Sequence, residues 1–524
     1  MPHTPPPSLF NMPRSIEDLD AVEKRSASPS SHGGDKAVVS TSPLDTLAAL
    51  GHDGEPISAA DSAPIDEAEK KRVLRKIDTI LMPLMYCSVL LQFLDKTSLN
   101  YANLLGVKTD LHLTGKQYSF LGSAFYLGWL GASPLHGYML QRFNISRYVG
   151  VVILLWATCL GLHAAAYNYA GLVACRIFLG ILEGGLTPAF ILVTGRFYTR
   201  KEQVIRTSWW FSANATAQIL GGGIAYGLLS QPAGPLQTWR TMFIILGAIT
   251  AFYAFPVFFF MPCGPEEHCR FFSKRERLVA IERVRENKTG LHDKTFKWDQ
   301  LREALCDPRL YLFFCGVAAA NVANGGVSNF GSAIISGLGY NKKDTALLGM
   351  APGFAEGVFI AAGAWLANRT GSRAIPGCAA FLVALVGGAL MISPSLTSAV
   401  KFLGYTIVFA YPVASPFYYS WLSSCIGGTT KRIVFNAALQ LGYSAGNIVG
   451  PQLYRQQDAP NYLPAKIAME AMFGISASCL VAIALIHRYW NHKRDAAGEV
   501  EEHNALEGLE DRTDKDLQSF RYPY

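Results

Sequence analysis

The stretch VACRIFLGILEGGLTPAF, residues 173–190, is apolar except for Arg176 and Glu183. A helix turns about 100° per residue, so seven residues return it to within about 20° of the starting direction, and the two charges share one face roughly 10 Å apart. Gly180 lies between them on that face and is expected to leave space in front of the helix. Ionised groups facing lipid are costly, so both side chains should face a bundle interior or a water-filled cavity. A second charged doublet, Asp95–Lys96, lies in FLDKTSLNYAN near the end of another apolar run, and in a cavity the four residues could meet.

Each has a distinct chemical aptitude. Arg176 keeps its proton, and its planar fork fits a carboxylate, which suits it to anchor an anionic substrate. Asp95 and Glu183 can titrate. An anion seated on Arg176 competes with Glu183 for its charge, so anion binding and proton uptake become linked. The same residues also allow a plainer arrangement, in which Arg176–Glu183 and Asp95–Lys96 are static ion pairs that lock helices together.

The elements that must position these groups follow from composition. Half of the 524 residues are hydrophobic, 16% are charged and 12% aromatic, the balance of a polytopic membrane protein. A span needs about 20 mainly apolar residues. Such runs occur at 77–101, 117–139, 147–166, 171–195, 206–229 and 239–262, and again at 309–335, 344–367, 374–393, 400–422, 432–454 and 466–490. The expected fold is therefore an all-α polytopic membrane protein of twelve transmembrane helices, in two pseudo-symmetric six-helix halves, 77–262 and 309–490. Between them lies a charged, partly helical central loop, 263–308. Residues 1–70 form an N-terminal tail whose Pro-, Ser- and Gly-rich start is expected to be disordered, and 491–524 an acidic C-terminal tail expected to be disordered as well. No charged segment followed by an apolar core opens the chain, so no cleaved signal peptide is expected.

Basic residues beside the spans give the orientation. Lys70, Lys71, Arg72, Arg75, Lys76, Arg142, Arg147, Arg196, Arg200, Lys201, Arg206, Arg369, Arg373, Lys431 and Arg432 all fall on the side of the central loop and both tails, which should be the cytosol. Topology thus accounts for the net charge of +7 without a nucleic-acid partner. The sequons at Asn144, Asn287 and Asn368 lie in loops on that side, and Asn214 lies within a span, so no N-glycan is expected. Cys263, His268 and Cys269 fit no common zinc spacing, and no metal or other cofactor is expected. GYSAG, residues 442–446, matches a hydrolase nucleophile elbow, but it lies inside an apolar span where Gly442, Gly446 and Gly450 line one helix face for close packing.

Several stretches together resemble the major facilitator superfamily, and within it the fungal anion:cation symporters of the allantoate permease type. CRIFLGILEGG is similar to that family's R-x-x-x-G-x-x-E-G/A pattern through Arg176, Gly180, Glu183 and Gly184. QFLDKTSLNYAN is similar to the end of its first helix, and GNIVGPQLY to its eleventh. GYMLQRFNISR and GAWLANRTGSR resemble the superfamily's cytosolic hinge, with Gln141 and Asn368 where the hinge carries an acid, and with Gly363 one residue early. In span 10, Cys425 stands where the family often has Asn. The resemblance implies a cytosolic gate at Gly137, Arg142, Gly363, Asn368 and Arg369. It implies secondary transport of a small organic anion such as allantoate, nicotinate or pantothenate, coupled to protons by alternating access, by a monomer in the plasma membrane.

The expected substrate-binding residues are Arg176, Lys96, Asn321, Asn324, Asn436 and Gln440, with Asn214 and Gln218 as further polar groups; the expected proton carriers are Glu183 and Asp95. Tyr126, Trp209 and Tyr418 could supply walls, although packing or an interfacial belt suits such aromatics equally. The alternatives are an exporter of a carboxylated secondary metabolite and a non-transporting nutrient receptor of the same fold. No nucleophile or metal-ligand constellation points to an enzyme.

Overall fold

A computed structural model describes residues 65–232, 234–265, 271–285, 296–496, 513–516 and 520–523. Among the described residues every regular element is helical, as a lipid environment demands of a chain that must satisfy its backbone groups internally. The first half contains α1 (Glu67–Leu104), α2 (Gly115–Arg142), α3 (Ile145–Leu162), α4 (Tyr169–Glu183), α5 (Leu186–Phe197), α6 (Arg200–Phe211), α7 (Ala213–Ser230) and α8 (Thr238–Phe260). The central segment contributes α9 (Lys274–Arg285) and α10 (Trp298–Leu305). The second half contains α11 (Pro308–Ser336), α12 (Lys342–Leu348), α13 (Ala351–Thr370), α14 (Ala374–Ile392), α15 (Ser398–Val408), α16 (Ala414–Cys425), α17 (Thr429–Val449) and α18 (Leu463–Ala496).

Each of the twelve expected spans is occupied by a helix or by a pair of helices in series. Eight of these are long and apolar enough to cross a membrane. The other four expected spans lie at α2, α6–α7, α15–α16 and α17, and three of them carry side chains that meet the opposite half. Local chemistry sets the boundaries. Thr114 and Gln117 form a capping box at the start of α2, Asn168 caps α4 through Gly171 N, and Asp307 caps α11 through Arg309 N.

Glycine lets the backbones inside each half approach closely. A Cβ on Gly180 would run into the Phe125 carbonyl of α2, and one on Gly128 into the Ile177 carbonyl of α4. In the second half, Gly442, Gly446 and Gly450 face the Phe314, Ala318 and Val322 carbonyls of α11 in the same way. This corrects one expectation: the space in front of Gly180 is filled by the neighbouring backbone and opens no cavity.

The two halves hold different parts of the central segment. Helix α9 belongs to the first half, through Lys76–Glu276 (2.6 Å), Arg275–Glu69 (2.8 Å) and Arg283–Glu202 (2.8 Å). Helix α10 belongs to the second, where Gln300 Oε1 accepts from Thr430 N at 2.9 Å. The hydrogen bonds that join the halves cluster toward the side away from the central segment. Tyr118 OH donates to Asn329 O (2.7 Å), Ser332 N to Asn100 Oδ1 (2.8 Å), Ser123 Oγ to Ile448 O (2.6 Å) and Gly115 N to Gln456 Oε1 (2.7 Å).

The C-terminal tail departs from the expectation of a structureless acidic segment. Residues 497–512 lie outside the described residues, but 513–516 and 520–523 are folded against the ends of α11, α16, α17 and α18. Asp514 is fully buried. Its carboxylate accepts from Arg309 (2.6 Å), Lys431 (2.7 Å), Tyr522 OH (2.9 Å) and Gly427 N (3.1 Å). The Pro523 carbonyl accepts from Trp421 Nε1 (2.9 Å) and from His487 Nδ1 (2.8 Å), and the Tyr522 ring stacks on His487. Every strong donor at this corner thereby finds an acceptor, as burial requires.

Candidate functional site

Two polar clusters occupy the middle of the bundle, and the sequence-derived residues divide between them. The first lies inside the first half. Helix α4 ends at Glu183, and the chain restarts as α5 after Gly184 and Gly185. A side chain on Gly185 would collide with the His136 ring of α2. That ring sits 2.6 Å from the Ile181 carbonyl and 2.5 Å from Tyr148 OH. A carbonyl only accepts, so Nε2 carries the proton and Nδ1 accepts from the tyrosine. His136 therefore braces the break that ends α4 one turn after Gly180.

At this break Asp95, Arg176 and Glu183 are all buried, at 0%, 2% and 0% exposure. Asp95 Oδ2 accepts a short hydrogen bond from Trp156 Nε1 of α3, while its Oδ1 has no partner. Arg176 donates to Ser98 Oγ at 3.3 Å and stacks over Phe243 at 6.0 Å, and its Nε is unpartnered. Both oxygens of Glu183 are unpartnered, although Gln92 Nε2 bonds its backbone carbonyl at 3.1 Å. The charges of Asp95, Arg176 and Lys96 all act on Glu183, yet among the described residues no ion pair joins Arg176 to either acid. Unpaired buried charge is expensive, on the order of several kcal/mol per ion. A proton or an incoming counter-charge removes that penalty, and this cluster can accept either.

The second cluster lies where the halves meet. Lys96 turns away from Asp95 and faces the second half. Its ammonium lies 3.4 Å from Tyr443 OH and over the rings of Phe93 (5.1 Å), Tyr126 (5.5 Å) and Tyr443 (5.9 Å). The four charges at Asp95, Lys96, Arg176 and Glu183 thus do not converge on one point: consecutive residues on a helix diverge by about 100°, which sends Asp95 inward and Lys96 across.

Opposite Lys96, Asn324 Nδ2 donates to Asn447 Oδ1 (2.8 Å), Asn447 Nδ2 to Asn321 Oδ1 (3.1 Å), and Tyr411 OH to Asn324 Oδ1 (3.0 Å). Gln440 accepts from Tyr419 OH at 3.4 Å. Gln218 Nε2 makes a short hydrogen bond to Glu356 of α13, joining the halves. Lys96, Asn324, Gln440 and Tyr443 are partly exposed although they sit mid-helix and face the other half, which places them along a solvent-reached seam.

The remaining expected residues stand apart. Asn436 is exposed and bonds only the Arg432 carbonyl of its own helix at 3.0 Å. Asn214 is buried. Tyr126 reaches Lys96, whereas Tyr418 is a core residue bonded to Ser476 and Trp209 is largely exposed. At the expected gate, a Cβ on Gly137 would meet no atom within 4 Å, whereas Gly363 is packed toward Val413. Arg142 and Arg369 stack on Tyr138 and Trp365 of their own helices, and Asn368 is exposed.

Sequence reasoning missed Glu356, although a carboxylate in the apolar run GMAPGFAEGVF satisfies the same rule that singled out Glu183. It also missed Trp156 and Asn447, whose importance comes from partners that no local pattern displays.

Comparison with known proteins agrees with this architecture. The family model described as Major Facilitator Superfamily matches residues 85–451. An uncharacterised transporter of Schizosaccharomyces pombe is 35% identical over 88% of this chain and 91% of its own length. The allantoate permease of Saccharomyces cerevisiae is 33% identical over 87% of each chain. Among solved structures, the xylose transporter XylE of E. coli, in a partially occluded inward open conformation, superposes with a TM-score of 0.58 at 14% identity, over 77% of this chain and 96% of that one.

Proposed function

This chain belongs to the Major Facilitator Superfamily and is an integral membrane transporter, and from that premise we propose that it carries a small organic anion together with protons by alternating access. The observation that supports this reading most is the buried trio Asp95, Arg176 and Glu183, in which Asp95 Oδ1, Arg176 Nε and both Glu183 carboxylate oxygens have no partner among the described residues. A structural ion pair would close Arg176 onto an acid within 4 Å; here, among the described residues, Arg176 donates to Ser98 instead and each carboxyl keeps at least one oxygen without a partner. The likeness to an allantoate permease, which is named for a carboxylate, supports an anionic substrate.

In this reading Arg176 attracts the anion into the bundle, Glu183 and Asp95 exchange protons, and Lys96 with the Asn321, Asn324 and Gln440 groups lines the passage between halves. The termini and the central segment face the cytosol of a plasma-membrane protein. The inter-half hydrogen bonds on the far side then correspond to an inward-facing arrangement, and the halves rock about that seam.

The test uses purified transporter in vesicles. Glu183→Gln keeps shape and removes the titrating proton, so substrate-for-substrate exchange should persist while accumulation driven by an imposed pH gradient is lost; Asp95→Asn is the companion variant. Continued proton-driven accumulation by both variants would remove this trio from coupling. Efflux rather than uptake in the wild type would make the protein an exporter, and binding without flux a receptor.

A further inference from the structure

We propose that the corner at the ends of α11, α16, α17 and α18 is a peptide-binding site, and that segment 513–523 of the chain is its ligand, docked reversibly and exchangeable. The site recognises an extended peptide by a buried carboxylate and, eight positions later, a buried tyrosine. This holds whatever the transporter carries.

Among its described residues the segment forms no helix or strand, and it is held by two anchors. Asp514 and Tyr522 are buried, while Lys515, Asp516 and Arg521 are exposed. The Asp514 carboxylate receives Arg309, Lys431, Gly427 N and Tyr522 OH, which fills the roughly four lone-pair positions it offers. Around Tyr522 the main chain and the ring are read separately. Asn491 Oδ1 accepts from Tyr522 N, and Asn491 Nδ2 donates to Tyr522 O, both at 2.9 Å. The ring lies 4.7 Å from the Arg494 guanidinium, 4.9 Å from that of Arg309 and 5.0 Å from the His487 ring. Arg494 also donates to the carbonyls of Asp514, at 2.8 Å, and of Phe520. Main-chain hydrogen bonds that hold an extended segment, with pockets for a few of its side chains, are the general means of peptide recognition.

Docking can reverse because the cations of the site have other partners. Arg309 holds Asp307 through hydrogen bonds of 2.7 and 3.0 Å, and Lys431 holds Glu303 at 2.7 Å and Asp307 at 3.3 Å. Departure of Asp514 therefore strands no buried cation, the event that would otherwise collapse such a site. The covalent connection through 497–512 makes docking intramolecular, with an effective concentration up to roughly millimolar. A modest affinity then fills the site in the intact chain and shows itself once the connection is cut.

The experiment uses the full-length chain with a protease recognition sequence placed within 497–512, folded and purified intact and then cut. The severed segment should leave on washing, and a fluorescent peptide of residues 505–524 should rebind at one per transporter. Asp514→Asn or Tyr522→Ala in the peptide should weaken rebinding about tenfold or more, and Lys515→Ala, at an exposed position, less than about threefold. Every change lies in the peptide, so the transporter is the same in each arm. In the uncut chain, excess peptide should speed hydrogen exchange at the Tyr522 amide, which Asn491 protects when the segment is docked. A severed segment that survives washing and does not exchange with the fluorescent peptide overturns the proposal, because the segment is then a fixed part of the fold. A segment that leaves and does not rebind overturns it as well, and so does equal binding by the Asp514→Asn, Tyr522→Ala and unaltered peptides.

Discussion

Replacing Asp514 by Asn should detach the C-terminal segment and lower the stability of the second half by about 2–3 kcal/mol. Burial alone would raise the carboxyl, but Arg309 and Lys431 outweigh it and hold Asp514 down at about 2, against an ordinary 3.8. That preference for the charged form corresponds to about 2.5 kcal/mol at neutral pH. The loss should not reach the 3–5 kcal/mol typical of a stranded buried charge. Arg309 keeps two hydrogen bonds to Asp307, at 2.7 and 3.0 Å, and Lys431 keeps Glu303 at 2.7 Å.

Thermal unfolding of the full-length protein in detergent, followed by tryptophan fluorescence, should show a midpoint lower by about 5 °C at pH 7 if the second half melts as a unit. Because the carboxyl is depressed in the fold, its contribution is complete above about pH 4 and disappears as the pH falls through about 2. The two melting curves should therefore converge in that window. Ending the chain after Ala496 should cost at least as much as Asp514→Asn. Identical midpoints at pH 7, or a harmless truncation beside a damaging Asp514→Asn, would refute the reasoning.

Two further outcomes follow from the packing and from the guanidinium. Gly180→Ala should destabilise by about 1–3 kcal/mol because its Cβ meets the Phe125 carbonyl, whereas Gly137→Ala, with open space around it, should be neutral or stabilising by up to about 1 kcal/mol; equal melting temperatures for the pair would contradict the close crossing of α2 and α4. Arg176→Lys keeps the charge and loses the planar fork, so kcat/KM for the anion should fall about tenfold or more at unchanged folding, and wild-type affinity in that variant would return Arg176 to a packing role.

The membrane class and helix order were legible because hydrocarbon imposes one rule on every span, and apolar runs of about 20 residues announce it. Helical period alone put Arg176, Gly180 and Glu183 on one face. It could not say what lay opposite, and there the reading of Gly180 failed: a missing side chain is equally a void and a seat for another backbone, and Phe125 takes the seat. The same limit separated Lys96 from its neighbour Asp95. Glu356 was within reach, since one carboxylate in an apolar stretch needs no partner to be noticed. The folded tail was not, because its composition is that of a solvated segment, and its order depends on Arg309 and Lys431, 205 and 83 positions away in the chain.

The hydrogen bond from Trp156 to Asp95 has a use of its own. Trp156 is completely buried, and its indole N–H points at one oxygen of a carboxyl group expected to gain and lose a proton. Indole emission and vibrational frequencies respond to whether that N–H donates to an anion or to a neutral acid. The protein thus carries an intrinsic optical probe one hydrogen bond away from a carboxyl group proposed to exchange protons. Difference spectra against a chain with phenylalanine in place of Trp156 would isolate its signal from the other tryptophans, and would follow the protonation of Asp95 in real time, without label or isotope, while the transporter turns over.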